Sequence, residues 1–205
     1  MIAVIDYGVG NLFSLRCSLS AVGADSVVTG DPEIIRAADR IILPGVGAFG
    51  DAAEKLKGSG MAALVKEQAA AGKPILGICL GMQLLFEKSY EYGEHAGLGL
   101  LRGEILPMEG RLPAGLKIPH IGWNALKKTK DSALLRYVKE GKHVYFVHSF
   151  YAPEDAEGVV ATAEYGVSVT AAVEKDNIAG CQFHPEKSGG VGLSILRAFC
   201  EGDRR

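Results

Sequence analysis

The stretch Lys73-Pro74-Ile75-Leu76-Gly77-Ile78-Cys79-Leu80-Gly81-Met82-Gln83-Leu84-Leu85-Phe86-Glu87 decides how this chain is read. Its first half is a short apolar run of the kind that forms a buried strand, and its second half has helical spacing. Cys79 stands where one becomes the other. A nucleophile on such a strand-to-helix elbow is held in a strained, exposed backbone position. The residues two before and two after it must be small, because the turn brings them together. Gly77 and Gly81 meet that demand. The helix that starts beyond Cys79 aims free N–H groups at the sulfur, which favours thiolate over thiol.

A thiol nucleophile needs an imidazole to move its proton and a third group to fix that imidazole. Far downstream, Gln182-Phe183-His184-Pro185-Glu186 supplies both. In an extended segment His184 and Glu186 share a face, and Pro185 restrains the chain between them. The order Cys, His, Glu suits an α/β scaffold whose last strands deliver the base.

A third element follows the apolar run Arg40-Ile41-Ile42-Leu43, namely Pro44-Gly45-Val46-Gly47-Ala48-Phe49-Gly50. Acyl transfer builds charge on a carbonyl oxygen, and preorganised backbone N–H groups stabilise it. The glycine-rich turn at Val46 and Gly47 supplies one such group, and Leu80, just after the cysteine, another. Gly45-x-Gly47-x-x-Gly50 also fits the dinucleotide fingerprint. That reading wants an acidic residue closing a strand about 20 residues later, whereas residues 62–68 read as continuing helix.

Composition points to one domain over residues 1–205, expected to be cytoplasmic. A chain of 205 residues can bury one good core. A net charge of −2 gives no electrostatic reason to expect nucleic acid or an anionic membrane. The apolar stretches are too short to span a bilayer, and residues 1–6 read as a first strand rather than a signal peptide. Cys17, Cys79, Cys181 and Cys200 have no paired spacing, so reduced thiols are expected. Cys17 and Cys200 read as core filler. Cys181 and His184, three apart in an expected strand, face opposite ways, so neither a metal site nor a cofactor is expected.

Strands expected at 2–5, 26–28, 40–43 and 74–78 alternate with helices near 11–21, 49–71 and 81–90, which argues for a mostly parallel sheet covered on both faces. Beyond residue 95 come short strand-like pieces at 99–106, 144–150, 158–165, 169–174 and 178–183, then a closing helix near 192–201. These read as an antiparallel or mixed extension of the same open sheet.

The chain as a whole resembles the class I glutamine amidotransferases with their Cys-His-Glu triad. Asp6-Tyr7-Gly8-Val9-Gly10-Asn11, the Pro44–Phe49 loop, His120-Ile121-Gly122-Trp123-Asn124, Tyr145-Phe146-Val147-His148-Ser149 and His184-Pro185-Glu186-Lys187-Ser188 are similar, within that family, to the glutaminase subunits of imidazole glycerol phosphate synthases of histidine biosynthesis. The resemblance implies hydrolysis of glutamine to glutamate and ammonia, with ammonia passed to a (β/α)₈ cyclase partner in a heterodimer. It implies that Cys79 attacks the side-chain amide, that His184 protonates the departing ammonia, and that Glu186 supports His184. It further implies glutamine-binding roles for Gly47, Gln83, Glu91, Ser149 and Phe150, and contacts to the cyclase through Asn11, Trp123, Tyr145 and Lys187. His148 reads as a hydrogen-bonded structural histidine, with an interface role second. A glutaminase serving another synthase, or a free-standing cysteine hydrolase of the same fold, is the alternative.

Overall fold

In the computed structural model, residues 1–202 are described. Four short strands, β1 (Ile2–Ile5), β2 (Ser26–Thr29), β3 (Arg40–Leu43) and β4 (Ile75–Ile78), run parallel in the order β2-β1-β3-β4. β14 (Ile178–Cys181) joins parallel to β4. From there β13 (Ser168–Lys175), β12 (Val159–Glu164) and β9 (Lys127–Lys128) extend the sheet antiparallel to eight strands. The fold is α/β, a mostly parallel open sheet with an antiparallel extension.

Side chains alternate across each strand, and both faces are covered. Ala3, Ile5, Ile41, Leu43 and Ile75 pack with α2 (Pro32–Ala37), α3 (Phe49–Gly58) and α4 (Met61–Ala70) through Ile35, Phe49, Leu56, Leu64 and Val65. Ile2, Val4, Ile42 and Leu76 pack on the other face with α1 (Leu12–Ala21) and α6 (Gly189–Glu201) through Leu15, Leu19, Ile195, Leu196 and Phe199.

The remaining elements depart from the expected extension. Among the described residues, β8 (His120–Ala125) and β10 (His143–His148) pair only with each other. β5 (Lys88–Ser89), β6 (His95–Ala96), β7 (Glu104–Pro107) and β11 (Phe150–Tyr151) make a separate four-stranded sheet. Residues 99–106 and 144–150 therefore do not join the main sheet. The helix expected over 49–71 is broken at Ser59–Gly60, where Gly60 takes φ 77°. The helix expected over 81–90 is only α5 (Leu80–Leu84). It stops because the carbonyls of Leu84, Leu85 and Phe86 accept N–H groups of Leu98, Leu100 and Gly99 instead of continuing the helix. Cys17 is exposed on α1 rather than core, about half a turn round from buried Leu15 and Leu19. Cys200 is partly buried.

Among the described residues, no helix is long and apolar enough to cross a membrane.

Candidate active site

β3, β4 and β14 are parallel neighbours, so their carboxyl ends open on one edge of the sheet. That topology gathers residues far apart in sequence: the glycine loop after Leu43, Cys79 after Ile78, and Gln182 to Glu186 after Cys181. Cys79 has φ 53° and ψ −112°, a left-handed conformation that few side chains adopt. Its N–H donates to the Cys181 carbonyl at 2.7 Å, extending the β4–β14 ladder into the turn.

The flanking glycines fit the demand read from the sequence. A Cβ on Gly77 would lie 2.7 Å from each of three backbone atoms of Gly81 and Met82. One on Gly81 would run into the Leu43 carbonyl. One on Gly45 would meet Gly81 N at 2.7 Å and Leu80 Cβ at 2.9 Å, so Gly45 is a close-packing glycine that seats the loop on the elbow. Gly47 differs: at φ 93° with open space around it, it supplies conformational freedom. The Tyr7 hydroxyl donates to the Pro44 carbonyl at 2.8 Å and fixes the loop from behind.

His184 and Glu186 meet, but not as an extended pair. Pro185–Lys187 is a 3-10 turn, and within it His184 Nδ1 lies 2.8 Å from Glu186 Oε1. Both side chains are 3% exposed. Glu186 Oε2 has no partner among the described residues. Nδ1–H directed to the carboxylate leaves Nε2 for Cys79. Burial alone would lower the pKa of His184. Hydrogen bonding to the Cys79 side chain and to Glu186 outweighs it, and the value rises to about 9. These contacts favour the imidazolium over the neutral ring. The backbone N–H of His184 donates to the Tyr145 carbonyl at 2.9 Å, tying the base to β10.

A cavity of about 290 Å³ opens over the sulfur, at the small end of ligand pockets. Val46, Gly47, Cys79, Leu80, Gln83, Glu91, Ser149, Phe150 and His184 all line it, so the triad nucleophile and base share it with every expected oxyanion and glutamine-binding position. Among the described residues, Glu91 is its one lining carboxylate. It also accepts the Phe49 N–H at 2.6 Å, capping α3, and burial pushes its pKa up.

Three further residues, Pro119, Val147 and His148, line the cavity without having been expected to do so from the sequence. Nor was a role expected for Gln182, whose Nε2 lies 3.7 Å from Cys79 Sγ. Its signal was a polar side chain inside the apolar run 178–183, where burial requires a partner. His148 is hydrogen-bonded as expected: its Nδ1 lies 2.9 Å from the Phe150 carbonyl and its Nε2 3.0 Å from His120 Nδ1.

Of the expected contact residues, Trp123 on β8 is 52% exposed and so is not core. Its ring meets Tyr145 of β10 edge-on at 6.0 Å. Lys187 Nζ lies 5.7 Å from the Tyr145 ring centroid. Asn11 immediately precedes α1, which packs against the Pro185–Lys187 turn. These four thus belong to adjoining elements beside the site.

The glutamine amidotransferase class-I family model matches residues 3–201. A protein of Wolinella succinogenes named imidazole glycerol phosphate synthase subunit HisH is 53% identical over 203 residues, covering 98% of this chain and 99% of that protein. A protein of the same name from Aquifex aeolicus is 50% identical, covering 96% and 94%. Among solved structures, one described as a glutamine amidotransferase superposes with TM-score 0.75 at 18% identity, covering 98% of each chain. PurLQS from Thermotoga maritima superposes at 0.71 with 23% identity, covering 98% of this chain and 97% of that one. Those two likenesses concern the fold; the family model and the near-complete relatives go further, and by them this chain belongs to the class I glutamine amidotransferase family.

Proposed function

We propose that this chain is the glutaminase subunit of an imidazole glycerol phosphate synthase, working in the cytoplasm as a heterodimer with a (β/α)₈ cyclase. The observation that carries the chemistry is Cys79 on its strained elbow, sharing one small cavity with His184, whose Nδ1 is held by Glu186. The relatives that are about half identical over nearly the full length carry the pathway.

In this reading the Cys79 sulfur attacks the side-chain carbonyl carbon of glutamine, and the electron pair of the C=O bond moves onto oxygen. The N–H of Leu80 and the glycine loop at Val46 and Gly47 receive that charge. His184, as the imidazolium, gives its proton to the nitrogen as the C–N bond breaks and ammonia leaves. Water then attacks the thioester, His184 takes the water's proton, and glutamate departs with the sulfur regenerated. Glu186 keeps the His184 ring turned toward the sulfur throughout. Glu91, a carboxylate in the cavity wall, suits the α-ammonium of glutamine, and Gln83, Ser149 and Phe150 offer it polar groups.

The face carrying Trp123, Tyr145 and Lys187 adjoins the base through the His184–Tyr145 backbone bond, which suits a partner that controls the glutaminase. The test is glutamate release from glutamine with and without the cyclase and its nucleotide ligand, with Cys79→Ala as control. Strong stimulation lost in the variant supports the assignment. High activity indifferent to the cyclase overturns the pathway part and leaves the thiol chemistry standing.

A further inference from the structure

We propose that Gln182 is a positioning residue for the nucleophile: its side-chain amide is locked N–H-outward and donates to the Cys79 sulfur. The proposal rests on Cys79 being the nucleophile and concerns what holds its sulfur.

Hydrogen-bond direction decides which end of the Gln182 amide faces the sulfur. Gln182 is completely buried and Gln83 is 4% exposed, so both amides must satisfy their polar atoms inside the protein. Which end of a buried amide faces which neighbour follows from the network around it. Here the network has a fixed anchor. The Phe150 carbonyl can only accept, and Gln83 Nε2 lies 2.9 Å from it, so the NH₂ end of Gln83 points there. The same NH₂ lies 2.9 Å from the other amide, which must therefore present its oxygen, Oε1. With Oε1 committed to Gln83, the NH₂ of Gln182 faces Cys79 Sγ at 3.7 Å. The polarity set by one main-chain carbonyl is thus relayed through two side chains to the sulfur.

The anchor is itself braced. The Phe150 carbonyl also lies 2.9 Å from His148 Nδ1, and His148 Nε2 lies 3.0 Å from His120 Nδ1. Since the carbonyl accepts, His148 donates from Nδ1 and accepts at Nε2, and His120 donates. Both rings are held neutral, His148 near 3 and His120 near 4, chiefly by burial. Neither introduces a competing charge that would turn the relay round.

A donor aimed at the sulfur stabilises the thiolate and leaves the thiol nearly untouched. The other titratable groups around the sulfur are His184 from the end of β14, Glu186 behind it, Cys181 on β14, and Glu91 and His148 in the cavity wall. None changes when Gln182 alone is replaced.

The experiment is the pH dependence of Cys79 alkylation by iodoacetamide in the full-length protein. It is read on the Cys79 peptide by mass spectrometry, so that exposed Cys17 does not contribute. Gln182→Met keeps length and removes the donor; Gln182→Glu replaces it with a carboxylate facing the sulfur. The apparent midpoint, which belongs to the Cys79–His184 pair, should rise by about one unit in Gln182→Met. At a pH below both midpoints that is a roughly tenfold slower reaction. Gln182→Glu should raise it further. Gln83→Met leaves Gln182 in place but frees its amide to turn, so it should give a smaller rise, and it carries the test if Gln182→Met does not fold. A merely space-filling Gln182 would shift the melting temperature and leave the midpoint where it is. Coincident midpoints for folded Gln182→Met and the unaltered protein, or a Gln182→Glu midpoint at or below the unaltered one, overturn the proposal. Glutaminase activity surviving in Cys79→Ala would instead sink the nucleophile reading, so the two failures are told apart.

Discussion

Gly77→Ala is a change of one methyl group, and the structure sets its cost. The added Cβ would sit 2.7 Å from Gly81 O, Met82 Cα and Met82 N, where ordinary contact begins at 3.4 Å. All three atoms are backbone, so no side chain can swing away; the turn itself must retreat by about 0.7 Å. That turn carries Cys79 and Leu80, the sulfur and the N–H that must meet the same carbonyl group. A misplacement of about 1 Å in a reacting site costs on the order of 100-fold, so kcat/KM should fall roughly 10- to 100-fold. Overpacking of this kind should also remove about 1–3 kcal/mol of stability. The assay is glutamate release with the cyclase and its nucleotide ligand, alongside urea denaturation. Gly58→Ala is the control: it faces open space at the end of α3 and should gain a few tenths of a kcal/mol. Gly77→Ala with unchanged kcat/KM and stability would refute the view that the elbow needs a bare backbone there.

Three buried histidines should bend the pH dependence of stability on either side of their ordinary value of 6.5. Above that, His184 keeps its proton in the folded state up to about 9 while the unfolded chain has lost it, so stability falls as pH rises through this window. Below it, folded His120 and His148 stay neutral down to about 4 and about 3 while the unfolded chain takes up protons, so stability falls as pH drops. Urea midpoints from pH 4.5 to 9 check this, and His120→Phe, which keeps a ring between Phe146 and Tyr165, should flatten the acid limb only. Trp123→Ala should weaken cyclase binding by about 2 kcal/mol, near 30-fold in Kd by titration calorimetry, without changing the melting temperature of the free subunit; unaltered affinity would remove Trp123 from the interface. Gly47→Ala loads a side chain onto φ 93° with no steric contact, so backbone strain alone should lower glutaminase kcat/KM; an unchanged kcat/KM would show that the loop does not need a residue free to adopt that conformation.

Much of the site could be read before the fold was known, because its demands are local. Gly77 and Gly81 mark the elbow, and a base and its orienting carboxylate sit within three residues of each other. Even there the local geometry differed: Pro185 starts a 3-10 turn instead of an extended step, and His184 and Glu186 meet across it. What stayed hidden depends on contacts through space. The apolar spacing of Leu56, Met61, Leu64 and Val65 carries straight through the Ser59–Gly60 break. Leu85 and Phe86 look helical, but their carbonyls accept the N–H groups of Gly99, Leu100 and Leu101. α2 was legible and missed: Asp31 accepts the Glu33 N–H at 2.8 Å with Pro32 at the first helical position, an ordinary N-terminal signal. The relay from Phe150 through Gln83 and Gln182 joins residues about 70 and 100 positions apart, and no spacing rule could reveal it.

Cys79 should become acylated by glutamine during turnover. Incubation with radiolabelled glutamine in the presence of the cyclase and its ligand, followed by acid quench and peptide mapping, tests it most directly. A glutamyl thioester is expected on the peptide containing Cys79 and is expected to be absent from Cys79→Ala. Label on Cys181 or Cys200, or full turnover with no covalent label at any time, would contradict acylation of Cys79.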